Sequence, residues 1–323
     1  MNGSLGGPIL KDGMVIFGAR DQGTPPSPAQ PIGIYSVPVT GGAIQRIVNY
    51  NTPVPGGVEN FFSLASLSSP TGNFSYGDGV VGFEGEFGGG SIGNSGIYQS
   101  NIAGGQMQPI ADSLHGIGDL FPITNFTHVV ISQNRAAFIG GNVFGYSTLY
   151  STNLPSSLSN YRELRRVDNP LPGASSNFSF VLPSLRILGN SVFFIALDGT
   201  GGASNNRRTL YEIPFSGGQP QKIISNLDSL PGLSSIEQSS ISSYDVNGQH
   251  VMIRAKAPGS TPEQGLFLYN RANHGFTQIL SLNDTIFDRS FGLIAEVQPG
   301  ALSEDSARAV ASIAGSAIFV GPY

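Results

Sequence analysis

One phrase recurs along the chain: a strand ending in an aromatic residue, a Gly-Gly or similar turn, then a second short strand. It reads GIYSVPVTGGAIQRIV from Gly33, GIYQSNIAGGQMQPIA from Gly96 and TLYSTNLPSSLSNYRELRRV from Thr148. It returns as TLYEIPFSGGQPQKII from Thr209 and GLFLYNRANHGFTQIL from Gly265, and starts again as AIFVGPY at Ala317. The aligned aromatics are Tyr35, Tyr98, Tyr150, Tyr211, Phe267 and Phe319, at steps of 63, 52, 61, 56 and 52 residues. Short strands repeating at a period in the fifties are the sequence mark of a propeller blade.

A hairpin precedes each aromatic strand. The six are PILKDGMVIFGA from Pro8, SYGDGVVGFEGE from Ser75, VVISQNRAAFIGG from Val129, LRILGNSVFFIAL from Leu185, SYDVNGQHVMIRA from Ser243 and LSEDSARAVASIA from Leu302. Asp12-Gly13, Asp78-Gly79 and Asn247-Gly248 supply the positive φ values that two-residue hairpin turns require. Each unit thus reads as four strands: A and B in the hairpin, C with the aromatic, and D ending in Ile or Val. Strands A to D recur five times, and the sixth unit supplies A, B and C. The expected fold is all-β: a six-bladed β-propeller of four-stranded antiparallel blades with an incomplete last blade, five or seven blades being the alternatives. One domain spans residues 1–323, in units of about 8–60, 61–120, 121–178, 179–235, 236–288 and 289–323. Val15, Phe17, Val81, Phe83, Phe138 and Phe194 are expected in the core between blades.

Composition narrows the function classes. Charged residues make up 11%, with 44 Gly and 22 Pro, while hydrophobic residues stay at 39%, which excludes a disordered chain. The absence of cysteine removes disulfides, thiolate metal sites and cysteine nucleophiles. A net charge of −5 leaves no basic footprint for nucleic acid and no polybasic membrane patch. The longest apolar tract, 309–320, is too short to span a bilayer. No charged and apolar leader follows Met1, and no anchor tail follows Tyr323.

IYSVPVTGGAIQRI and TLYEIPFSGGQPQKI resemble the strand C–turn–strand D phrase of TolB-like six-bladed propellers, and LKDGMVIFGA resembles their hairpin. VNYNTPVPGG from Val48 and VDNPLPG from Val167 are still more similar to an uncharacterised family of secreted bacterial propeller repeats, whose members often end in a sorting or anchor tail. The third copy departs from the pattern, with Pro155-Ser156-Ser157 in place of Gly-Gly. The resemblance implies a fold and an extracellular or cell-surface location, with the periplasm as the alternative. It carries no catalytic residues.

The long B–C and D–A loops gather on one rim, where a rigid scaffold usually carries its binding residues. Asp112, Asp168, Asp228, Asp284, Asp288 and Arg289 are the candidate rim residues. Oxygen ligands near a channel mouth can hold Ca²⁺, yet the Asp-x-Asp-x-Asp-Gly spacing is missing and turn Asp residues usually bond their own backbone, so no cofactor is expected. Gly89-Gly90-Ser91-Ile92-Gly93 and Gly77-Asp78-Gly79-Val80-Val81-Gly82 match nucleophile-elbow and dinucleotide patterns, but neither is followed by a helix. Glu84 and Glu86 share a strand face and could form a glycosidase-like pair, against the blander reading of a solvated strand end. The expected function is therefore non-catalytic: binding or surface assembly through the loop rim and an open edge at Ala317, Ile318, Phe319 and Val320. The partner would be a protein, a second copy by strand addition, or a glycan. The alternatives are a carbohydrate-active enzyme with carboxylates at the channel mouth and a TolB-like periplasmic scaffold.

Overall fold

The computed structural model describes residues 8–20, 32–64, 74–88, 94–114, 123–142, 147–156, 160–166, 169–172, 178–182, 184–198, 207–233, 236–237, 241, 244–258, 264–281, 285–286, 289–290, 309–313 and 316–320. They form two compact units, Met1–Arg166 and Val167–Tyr323.

The first unit holds three antiparallel sheets. The first contains β1 (Ile9–Lys11), β2 (Met14–Arg20), β3 (Ile32–Pro38) and β4 (Gln45–Asn49). The second contains β5 (Phe61–Ser63), β6 (Ser75–Gly77), β7 (Val80–Phe87), β8 (Asn94–Asn101) and β9 (Gln108–Asp112), with β5 and β6 both pairing β7. The third contains β10 (Ile123–Ser132), β11 (Arg135–Asn142), β12 (Ser147–Asn153) and β13 (Arg162–Arg166).

The second unit begins with β14 (Phe178–Val181), β15 (Arg186–Leu188), β16 (Ser191–Asp198), β17 (Arg207–Pro214) and β18 (Gln221–Ser225) in one sheet. A second sheet follows with β19 (Tyr244–Asn247), β20 (His250–Lys256), β21 (Gln264–Asn270) and β22 (Gly275–Ser281). Two hairpins complete it: β23 (Thr285–Ile286) with β24 (Arg289–Ser290), and β25 (Ala309–Ile313) with β26 (Ser316–Val320).

The repeated phrase is a repeated geometry. The strand-C aromatic always lies opposite the same position of strand B: Phe17↔Tyr35, Phe83↔Tyr98, Phe138↔Tyr150, Phe194↔Tyr211 and Ile253↔Phe267. The last hairpin pairs Val310 with Phe319. Where both partners are aromatic the rings lie 5.5–6.1 Å apart, adding about 1 kcal/mol per pair to their burial. The small residue two before the aromatic makes room for the ring. A methyl group on Gly96 would stand 2.6 Å from the Tyr98 hydroxyl and 2.6 Å from Asp112 Cβ.

Strand D joins strand C through a bulge at one fixed place. Every C–D ladder shifts register between the aromatic and the residue before it, leaving one extra D residue: Ile47, Ile110, Leu164, Ile223 or Ile279. A bulge breaks the alternation of faces, so two consecutive D residues can turn toward apolar surroundings. Ile47-Val48, Ile110-Ala111 and Ile223-Ile224 are buried in this way. The C–D turns of the first, second and fourth copies also coincide, with Gly pairs at φ 82° and 136°, 76° and 138°, and 86° and 133°. The second value of each pair is accessible to glycine alone, hence the Gly-Gly of the phrase.

Successive sheets within a unit pack face to face. Ile16, Ile34 and Ile47 meet Phe61, Phe83 and Tyr98 between the first two sheets. Ile97 and Ile110 meet Phe126 and Phe138 between the second and third. Ile195, Leu210 and Ile223 meet Tyr244, Ile253 and Phe267 in the second unit. The strand-C aromatic in each of these pairs belongs to the seam with the preceding sheet.

Val81, Phe83, Phe138 and Phe194 are buried as expected, whereas Val15 and Phe17 are half-buried. They lie on the face of the first sheet turned away from the second, since successive strand residues alternate faces. Asp12-Gly13 and Asp78-Gly79 adopt the expected positive φ values. In the third copy Gln133 and Asn134 do so without glycine, while in the fifth only Gly248 of the Asn247-Gly248 pair does.

Candidate functional site

A polar residue at the end of strand D, or just beyond it, shapes the following turn. Asn49 Oδ1 accepts from the Thr52 hydroxyl at 3.1 Å and from the Asn51 amide at 3.1 Å. Asp112, 1% exposed, accepts the Leu114 amide at 3.0 Å. Asp228 accepts the Ser225 amide and the Lys222 ammonium, each at 2.7 Å. Burial alone would raise the Asp228 carboxyl, but the Lys222 and Ser225 bonds outweigh it and hold the group below its ordinary value. Asp112 and Asp228 therefore form turns, as short polar side chains do beside free backbone amides.

Of the other rim candidates, Asp168, Asp284 and Asp288 lie outside the described residues. Arg289 opens β24, opposite Ile286. Among the described residues no three His, Asp or Glu side chains gather to hold a metal ion. No helix there is long and apolar enough to cross a membrane.

Glu84 is the polar residue whose burial alternation does not reveal. It is 4% exposed, on the β7 face opposite Phe83, toward the third sheet. There β10 carries a register shift between Thr127 and Val130, and His128 takes φ 58°. This edge strand hands three amides to the second sheet's side chains. Phe126 donates to Ser95 Oγ at 3.0 Å, Ile131 to Ser75 Oγ at 2.9 Å, and His128 to the Glu84 carboxyl. Burial, with the Glu86 charge in support, pushes Glu84 up to about 8 despite the amide, so its carboxyl is neutral at pH 7. Burial likewise pushes the His128 ring down to about 4 and keeps it neutral. The expectation of a solvated strand end fails for Glu84: the bulge of β10 places an amide over it, and its carboxyl is spent on that amide.

The last candidate is backbone. Just past β17, Phe215 donates its amide to Asn190 O beside β16, and in β17 Arg208 O accepts from Asn226 beside β18. Backbone groups alternate sides along an antiparallel strand, so Tyr211 bonds toward β16 and Leu210 toward β18. In β26 the parity follows from its tight hairpin: Ile313 and Ser316, with two residues between them, form a hydrogen-bonded closing pair, so Ile318 and Val320 bond toward β25 and Ala317 and Phe319 present N–H and C=O on the opposite edge. Among the described residues β25 is the strand that pairs with β26.

No family profile matches the chain, and no curated protein matches it in sequence. Solved structures do resemble it. The β-propeller domain of the Trilobed protease from Pyrococcus furiosus, described as having an open velcro topology, superposes with TM-score 0.54 at 11% identity, over 99% of this chain and 85% of that one. An acylaminoacyl peptidase solved with Z-Gly-Gly-Phe-chloromethyl ketone gives TM-score 0.54 at 10% identity, over 99% of this chain and 46% of that one. TolB from Acinetobacter baumannii gives TM-score 0.42 at 11% identity, over 82% and 50%, too low to carry an argument. At such identities the likeness speaks for fold alone. With its run of four-stranded antiparallel sheets, the chain has an all-β fold of propeller type.

Proposed function

We propose that this protein is a non-catalytic binding or assembly module of propeller type, which engages a protein partner or a second copy by strand addition at β26, beside a rim of B–C and D–A loops. The observation that carries the reading is that, among the described residues, β26 pairs on one side only. An edge presenting the N–H and C=O of Ala317 and Phe319 is a template for another strand. The engagement of Asp112 and Asp228 in their own turns supports a rim that holds its shape, with binding residues supplied by the loops between. Low charge and the resemblance to secreted propeller repeats favour an extracellular or cell-surface location. Light scattering across protein concentrations tests the assembly form. The apparent mass rises with concentration and returns to that of one chain in Ala317→Pro, which lacks an outward amide. A strict monomer throughout overturns assembly.

A further inference from the structure

The last hairpin has the geometry of strands A and B, and we infer that the outer side of β26 accepts a polypeptide segment of the strand-C type: a small residue, a branched aliphatic and an aromatic in that order, with the aromatic opposite Phe319. The inference rests on the edge reading above and adds the chemistry of the partner.

The five A–B hairpins before it each close on a pair with two residues between: Lys11↔Met14, Gly77↔Val80, Ser132↔Arg135, Leu188↔Ser191 and Asn247↔His250. Ile313↔Ser316 closes β25 and β26 in the same way. The B–C ladders instead end on pairs that enclose five residues or more, Gly141↔Ser147 being the tightest. Three residues past the second member of each closing pair stands Phe17, Phe83, Phe138, Phe194 or Ile253, and three past Ser316 stands Phe319. The aromatic phrase alone places β26 as a strand C; the hairpin corrects this, and β26 stands where strand B does.

Backbone phase agrees. The residue just before strand B accepts an amide from strand C's end in all five copies: Val39 donates to Gly13 O, Ile102 to Gly79 O, Leu154 to Asn134 O, Phe215 to Asn190 O and Arg271 to Gln249 O. Alternation then makes Phe17, Phe83, Phe138, Phe194 and Ile253 bond toward strand C, the side on which Phe319 presents its N–H and C=O. Their partners there are always aromatic: Tyr35, Tyr98, Tyr150, Tyr211 and Phe267. Isoleucine or leucine precedes each aromatic, and Gly or Thr stands two before it. A methyl group on Gly33 or Gly265 would stand 2.8 Å from the Tyr35 or Phe267 ring, so the small residue belongs to the motif. Pro38 and Pro214 stand opposite Met14 and Ser191, which bond toward strand A, so strand C loses no ladder bond there. The partner therefore tolerates proline opposite Ser316 and needs an amide opposite Phe319.

The probe is a fluorescent peptide of residues 207–214, read by anisotropy against the intact chain. Its companions are a peptide with Leu210 and Tyr211 exchanged, which moves the aromatic to the other face, and one N-methylated at Tyr211, the residue opposite Phe194 in its native ladder. The expected result is saturable binding of the first peptide, weaker by about tenfold or more in both companions, and lost in Ala317→Pro. Binding of either companion equal to that of the first, still lost in Ala317→Pro, overturns the strand-C requirement and leaves an open edge standing. No binding, or binding indifferent to Ala317→Pro, overturns the edge as well. Circular dichroism of Ala317→Pro verifies its fold, and the N-methylated peptide repeats the test without altering the protein.

Discussion

Strand C of the fourth copy, β17, and the last described strand, β26, each lie antiparallel to the strand before, with Phe194↔Tyr211 in the first and Val310↔Phe319 in the second. They differ in what lies on the other side. β17 has β18, bulged at Ile223, and its Leu210 lies opposite Ile224. β26 has β25 alone among the described residues. Register is therefore set by the preceding strand and owes nothing to the next. β26 is thus held in register from one side, and among the described residues no strand pairs with its other side.

The sharpest way to break this comparison is proline at matched positions. Leu210→Pro removes an amide bonded to β18 and should cost about 3 kcal/mol or more, seen as a large drop in the unfolding midpoint. Ala317→Pro removes an outward amide, a place edge strands tolerate, and should shift stability by less than about 0.5 kcal/mol. Equal losses at both sites would mean that the edge of β26 is occupied.

Smaller effects sharpen what a complete sheet requires. Gly96→Ala places a methyl group against the Tyr98 ring and should cost about 2 kcal/mol in thermal or denaturant unfolding. Glu84 gives the account a pH signature. Its ordinary value of 4.5 rises to about 8 in the folded protein, so the fold holds a proton that the unfolded chain has released. Stability should accordingly fall as pH climbs from about 4.5 to about 8, then level off. His128, pushed down to about 4, works in the opposite sense and costs stability as pH falls from 6.5 toward 4. Of these two groups, only Glu84 still titrates above pH 6.5. Glu84→Gln keeps an acceptor for the His128 amide without the charge, and should flatten the alkaline slope and gain about 1–2 kcal/mol at pH 9. An unchanged slope would show that Glu84 is not the group responsible. Asp228→Asn, at a half-exposed turn, should cost only about 0.5–1 kcal/mol, with native Asp228 losing its contribution as acid protonates it below about 3.8.

Much of this was readable before any coordinates. The B–C–D phrase, the hairpins at Asp12-Gly13 and Asp78-Gly79 and the Gly-Gly turns are local chemistry, because a positive φ demands particular residues wherever it occurs. The D-strand bulge was not legible, although the paired aliphatics Ile47-Val48 and Ile223-Ile224 were its trace. A single strand does not reveal which neighbour its extra residue faces. Glu84 was misread for a related reason. Its alternation with Glu86 looks solvated until β10, some forty residues later, lays a strained His128 amide over it. Phe17 was expected in the core by analogy with Phe83 and Phe138, but its burial depends on which sheet covers that face of the first sheet.

Amide hydrogen exchange, resolved residue by residue, tests the open edge most directly. Ala317 and Phe319 should exchange at nearly unprotected rates, Ile318 and Val320 should be slowed by β25, and Leu210 in β17 should be slower still. Protection of Ala317 and Phe319 equal to that of Leu210 would contradict the account.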